Sequence, residues 1–106
     1  MTQAWQVFDV NNVRANQDAS QQVQFSEIFH TESMQCGLYH LKKGSTDMQT
    51  PHDEDEMYYV IEGRARLRLG DEIQEVTPGT LLYVSATQEH SFFEIEEDMT
   101  LLVLFA

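Results

Sequence analysis

Beyond a polar connection, "VRANQDASQQVQ" (Val13 to Gln24), the chain becomes a succession of short runs in which apolar and polar residues alternate. "VQFSEIF" and "MQCGLYHLKKG" come first. "MYYVIEG", "RARLRLG", "EIQEVTPG", "TLLYV", "HSFFEI" and "MTLLVLF" follow. A period of two sends successive side chains to opposite faces of a strand, and Val, Ile, Phe and Tyr suit a pleated surface. Gly70-Asp71 parts two of these runs and predicts a hairpin with a two-residue turn. Pro78-Gly79 marks a second turn. Roughly eight to ten strands at short, even spacing, and no convincing helix, predict an all-β sandwich or barrel.

One stretch reads two ways. "TPHDEDE" (Thr50 to Glu56) has the form of a helix start, with Thr as N-cap, Pro at the first position and acids in the first turn. The "MYYVI" that follows is aromatic and β-branched, and Gly63 comes soon after, which favours a strand. The strand reading constrains the chemistry. A straight strand rises about 3.3 Å per residue, so His52 and Glu56 would stand roughly 13 Å apart. Two donors of one metal ion must lie within about 4 Å of each other. A tight turn over Asp53-Glu54-Asp55 would resolve this, with His52 ending one strand and Glu56 opening the next, face to face across about 5 Å.

Composition narrows the partners. The 106 residues point to one domain, and 42% hydrophobic residues are enough for one core. The net charge is -12, with six Lys and Arg in all, so phosphate backbones and anionic membrane surfaces are poor matches. One cysteine, Cys36, precludes an intrachain disulfide and favours a reducing compartment. The first residues, "MTQAWQVFDVNN", show neither a basic region nor a long apolar core, so no signal peptide is expected, and a cytoplasmic location is the default.

Two spaced motifs add a more specific signal. Gly44, five residues, Thr50, Pro51, His52, three residues, Glu56, six residues and Gly63 follow the spacing of the first motif of the cupin superfamily, with Thr50 where a first His is expected. Gly79, five residues, Ser85, Ala86, Thr87, two residues, His90, three residues and Glu94 follow the second. There Gly and His are kept, while Ser85, Thr87 and Glu94 replace Pro, Gly and Asn. The chain thus resembles small single-domain cupins. The resemblance implies a double-stranded β-helix, a jelly-roll-type β-barrel over residues 25–106, preceded by an N-terminal strand and connecting segment over 1–24. It also implies a homodimer and a metal held inside the barrel.

Carried over by position, His52, Glu56 and His90 match metal ligands and Thr50 does not. Two imidazoles and a carboxylate suit Zn, Fe, Ni or Mn and leave coordination positions for water or substrate. Gln49 or Glu54 could add an oxygen, and the Thr50 hydroxyl could hold a metal-bound water. Tyr58 lies two residues beyond Glu56, on the same strand face, so Thr50 and Tyr58 are candidates for contact with a small organic substrate. The chemistry expected of such a site is oxygenation, isomerisation or decarboxylation. The alternatives are a metal-free barrel in which His52, Glu56 and His90 form a hydrogen-bonded cluster that senses or stores a small ligand, and a pure scaffold with a filled barrel. His30 and His40 fall outside both motifs and read as ordinary strand residues, and Cys36 as a small buried hydrophobe. Arg64, Arg66 and Arg68 alternate along one strand face, either solvated or forming a positive patch. "EIEED" (Glu94 to Asp98) reads as a solvated loop.

Overall fold

A computed structural model describes residues 4–47 and 53–106. One short helix, α1 (Val10–Ala15), precedes six strands. These are β1 (Val23–His30), β2 (Gln35–Leu41), β3 (Glu56–Leu69), β4 (Glu72–Val76), β5 (Leu81–Val84) and β6 (His90–Phe105). All pairings are antiparallel, in the order β1-β2-β6-β3-β4, with β5 on β3. The fold is an all-β barrel, as the alternation predicts.

Three expectations are corrected. The strands are fewer and longer than expected, because "MYYVIEG" and "RARLRLG" fuse into β3 and "HSFFEI" and "MTLLVLF" fuse into β6. "EIEED" is therefore not a loop but the middle of β6. The N-terminal segment carries a helix, and no strand precedes Val23 among the described residues. Asp9 caps that helix, its carboxylate accepting from the Asn11 N–H at 2.9 Å. The segment is tied to the barrel. Gln17 Nε2 donates to Ser26 Oγ at 3.1 Å and to the Leu38 carbonyl at 3.2 Å, and the Phe8 ring packs at a tilt against Phe29.

The length of β3 and β6 would give a flat ribbon if their pairing were regular. Instead the register slips three times, between Val60 and Glu62, Glu62 and Arg64, and Arg64 and Arg66. Bulges bend a strand and raise its twist, so the paired ribbon curls over its own inner face. They also change which residues point inward. Tyr58 and Val60 are buried in the first half of β3, but Ala65 and Leu67 in the second. The same shift takes β6 from Phe92 to Ile95, Met99 and Leu101. Gly63 sits at the bend with φ +100°, and a Cβ there would fall 2.6 Å from Met99 Cα and still closer to the Asp98 carbonyl oxygen. Only glycine lets the two backbones come so close.

The two turns read from sequence are present. Leu69 pairs with Glu72 around Gly70-Asp71. Gly70 has φ +58° at the first central position, the arrangement of a type II′ hairpin. At Pro78-Gly79, the Thr80 N–H bonds the Thr77 carbonyl at 3.0 Å. The core joins inner residues of five strands, β2 to β6, with Tyr39, Leu41, Tyr58, Val60, Leu67, Val76, Val84, Phe92, Met99, Leu101 and Val103 among them. No described helix is long and apolar enough to cross a membrane.

Candidate metal centre and pocket

Glu56 opens β3 and His90 opens β6, at opposite ends of the shared ladder: Glu56 pairs with Phe105, and His90 with Leu69. In a flat sheet the 13 intervening steps would separate them by about 43 Å. The curl brings them together across the barrel interior, with His90 Nε2 3.3 Å from Glu56 Oε2. Both side chains are almost wholly buried, at 1% and 2% exposure. Tyr58, one inward position beyond Glu56, lies between them. Its hydroxyl donates to Glu56 Oε2 and lies 3.0 Å from His90 Nε2.

The imidazole is fixed from behind. His90 Nδ1 donates to the Gln88 carbonyl at 2.9 Å, which leaves Nε2 facing the barrel interior. Burial works against a charge on this ring. The hydrogen bond to Glu56, the Gln88 carbonyl and the negative charges of Glu56 and Asp47 outweigh it and hold the His90 pKa above the ordinary imidazole value.

A carboxylate and a back-bonded imidazole, both buried and converging, make a donor pair that fits a divalent ion such as zinc or iron(II). Among the described residues no third His, Cys, Asp or Glu joins them. His52, Thr50 and Gln49 lie outside the described residues. The hairpin expected to set His52 opposite Glu56 therefore falls outside them too; Glu56 itself pairs with Val84 of β5 and Phe105 of β6. Strand rather than helix begins at Glu56, and 53–55 are not helical.

Asp47 escaped the sequence reading. It is buried in the segment between Gly44 and Thr50, where alternation gives no hint of an inward side chain. Its carboxylate accepts from the Tyr39 hydroxyl at 2.7 Å and from the Phe92 N–H at 2.8 Å. This clamps the first motif's loop to β2 and β6. Burial and the Asp47 bond push the Tyr39 phenol well above its usual range, so it stays a hydroxyl.

Beside the cluster lies a cavity of about 310 Å³. It is lined by the apolar Phe25, Val103 and Phe105 and by Gln35, Tyr39, Tyr58 and Glu54. Tyr58 is thus shared between the buried pair and the cavity. The other candidates sit apart. His30 pairs with Glu27 at 3.2 Å on the surface, and His40 lies mid-strand between Gln24 and Thr100. Cys36 is partly buried, and burial raises its thiol pKa. Arg64 pairs with Glu75, Arg66 with Glu94, and Arg68 covers the Phe93 ring, so two of the three arginines are paired with acids and the third lies on an aromatic face.

Barrel, buried His–Glu–Tyr cluster and adjoining cavity define a small single-domain barrel protein with a polar cluster in its interior. The Cupin domain family model matches residues 37–105, and the chain belongs to that family. An uncharacterized protein of Streptomyces coelicolor is 40% identical over 82 residues, 77% of this chain and 78% of its own length. The TT1209 protein of Thermus thermophilus superposes with a TM-score of 0.77 at 27% identity, covering 94% of this chain and 95% of that one. The DMSP lyase DddQ of Ruegeria pomeroyi superposes with a TM-score of 0.73 at 15% identity over 79% of this chain, which spans 46% of the larger protein. At that identity the likeness concerns the fold.

Proposed function

We propose that this cupin holds a divalent metal ion at Glu56 and His90, with His52 as third ligand, and uses it to bind and transform a small organic molecule in the adjoining cavity. The observation that carries the reading is the approach of His90 Nε2 to Glu56 Oε2 at 3.3 Å, reached from opposite ends of β3 and β6. Zn, Fe, Ni or Mn would match the donors, and would supply Lewis-acid or dioxygen chemistry for an oxygenase, isomerase or decarboxylase type of reaction. Thr50 and Tyr58 would contact substrate or water, and Asp47 keeps Tyr39 and the loop in place. Fold alone leaves the reaction open. The test is elemental analysis of untagged protein beside its His52→Ala and His90→Ala variants. Metal in the wild type, lost in both variants, is the expected result; equal metal in all three refutes the site.

A second reading has its own support. The Tyr58 hydroxyl bonds both Glu56 and His90 and so satisfies the pair without an ion. On that reading the barrel is a metal-free, non-catalytic module that binds or senses a small ligand. Tyr58→Phe separates the two: it leaves metal content intact under the first and only destabilises the cluster under the second.

We further propose that two copies associate through the outer face of β3 and β5. Met57 pairs with Tyr83 and Tyr59 with Leu81, and the two Tyr–apolar pairs stand side by side, 38–60% exposed. Contiguous apolar surface of this kind marks an interface. Light scattering should give twice the chain mass, and Leu81→Glu should return it to the monomer value. A monomeric wild type refutes the assembly. The six cations, five of them already engaged, and the -12 charge support the absence of nucleic-acid and anionic-membrane partners, and the single cysteine supports a cytoplasmic location.

A further inference from the structure

We infer that the cavity selects an organic cation with an apolar body, and rejects anions. This deepens the small-molecule reading and rests on it for the pocket, but not for the metal. Phe25 and Phe105 stand edge to face with ring centres 6.1 Å apart, and with Tyr39 and Tyr58 they put four aromatic rings on one cavity. Aromatic faces carry negative charge density and attract ammonium groups. Glu54 adds a full carboxylate to the same lining. No ion pair or hydrogen bond engages Glu54 among the described residues, so its charge is available to a ligand.

The cations of the chain are placed elsewhere. Arg14 pairs with Glu62, and Lys42 bonds the Ala19 carbonyl. Arg64 and Arg66 pair with acids on the outer face, Arg68 lies over the Phe93 ring, and Lys43 is exposed after β2. None lines the cavity, and 48–52 contain no Lys or Arg. A ligand phosphate or carboxylate would therefore meet no Lys or Arg in the lining, inside a protein of net charge -12. At about 310 Å³ the space suits a ring or short chain with one head group.

Three probes of similar size test this by calorimetry on the full chain: benzyltrimethylammonium, benzyl alcohol and phenylacetate. The ammonium should bind most tightly and weaken with salt, and phenylacetate should not bind. Glu54→Gln, an exposed substitution, should weaken the ammonium on the order of tenfold and leave benzyl alcohol unchanged. Phe25→Leu, which keeps the apolar bulk, should weaken only the ammonium. Phenylacetate binding as well as the ammonium, no effect of Glu54→Gln, or no binding by any probe overturns the inference. Metal content, measured separately, reports on the metal site alone: a metal-free protein that binds the ammonium sinks the metal and keeps this inference, and a metal-loaded protein that prefers phenylacetate does the reverse.

Discussion

Replacing Gly63 with alanine tests how the barrel makes its site. Gly63 has φ +100°, and an added Cβ would lie 2.6 Å from Met99 Cα, with the Asp98 carbonyl oxygen nearer still. Both obstacles are backbone, so no side chain can swing aside. Two costs add. Holding a non-glycine residue at this φ costs about 1–2 kcal/mol. Forcing β3 and β6 apart costs about 1–3 kcal/mol more, as overpacking does elsewhere. The sum, about 2–5 kcal/mol, is a large share of the roughly 5–15 kcal/mol that holds a domain together. Gly79→Ala is the control. Its φ is +92°, but nothing lies within 4 Å of the added Cβ, so it carries the first cost alone. Urea unfolding of both variants should place Gly63→Ala below Gly79→Ala by about 1–3 kcal/mol. Gly63→Ala should also lose metal, because the bend it disturbs is what carries His90 to Glu56. Equal stability of the two variants would refute the close-approach argument.

The raised pKa of His90 gives metal-free and metal-loaded protein opposite pH dependences. Without metal, the charged imidazole favours the folded state, so its contribution is full below the ordinary value near ~6.5 and is lost as pH rises through the higher folded value. With metal, the proton competes for Nε2, and affinity falls as pH drops through that same folded value. Thermal melts between about pH 5 and 9, with and without zinc, read both signs; zinc stabilisation that does not shrink toward acid refutes His90 as a ligand. Asp47→Ala strands the Tyr39 hydroxyl and the Phe92 N–H, and should cost about 2–4 kcal/mol in urea unfolding. A change under about 0.5 kcal/mol would show that water replaces the carboxylate. Tyr58→Phe should destabilise the metal-free protein by about 1–3 kcal/mol by removing the hydroxyl that joins Glu56 and His90, and have a smaller effect once metal is bound.

Where residues alternate, the sequence could be read directly. The strand runs, the Gly70-Asp71 hairpin, the Pro78-Gly79 turn and the start of β3 at Glu56 all follow from period-two patterning and turn chemistry. The motif spacing singled out Glu56 and His90, and it is the fold that brings them together. Asp47 could not be found this way. It is an acid in an irregular segment, and its inward orientation depends on a phenol from β2 and an amide from β6, far away in sequence. The short helix was missed because "VNNVRA" has weak intrinsic helix propensity and offers no apolar face; none of its residues is buried. The sequence leaves the arginine face open between two readings, since the partners Glu75, Glu94 and Phe93 are set by register.

The strand count failed for an informative reason. Period-two alternation holds from Glu56 to Val60 and again from Ala65 to Leu67, but the two halves are out of phase, so the sequence reads as two strands. In phase, Arg64, Arg66 and Arg68 would share the inner face with Glu56 and Tyr58, an arrangement no apolar core tolerates. The slipped register around Gly63 turns the arginines outward and bends the ribbon in the same step. A second slip near Glu94, at φ +47°, does the same for β6, leaving His90 and Phe92 inward on one side and Met99 and Leu101 on the other. Phase change and curvature are one event in the backbone. The break in alternation that obscures the strand is therefore the sequence's mark of the bend that brings an imidazole and a carboxylate from opposite ends of a ladder to 3.3 Å.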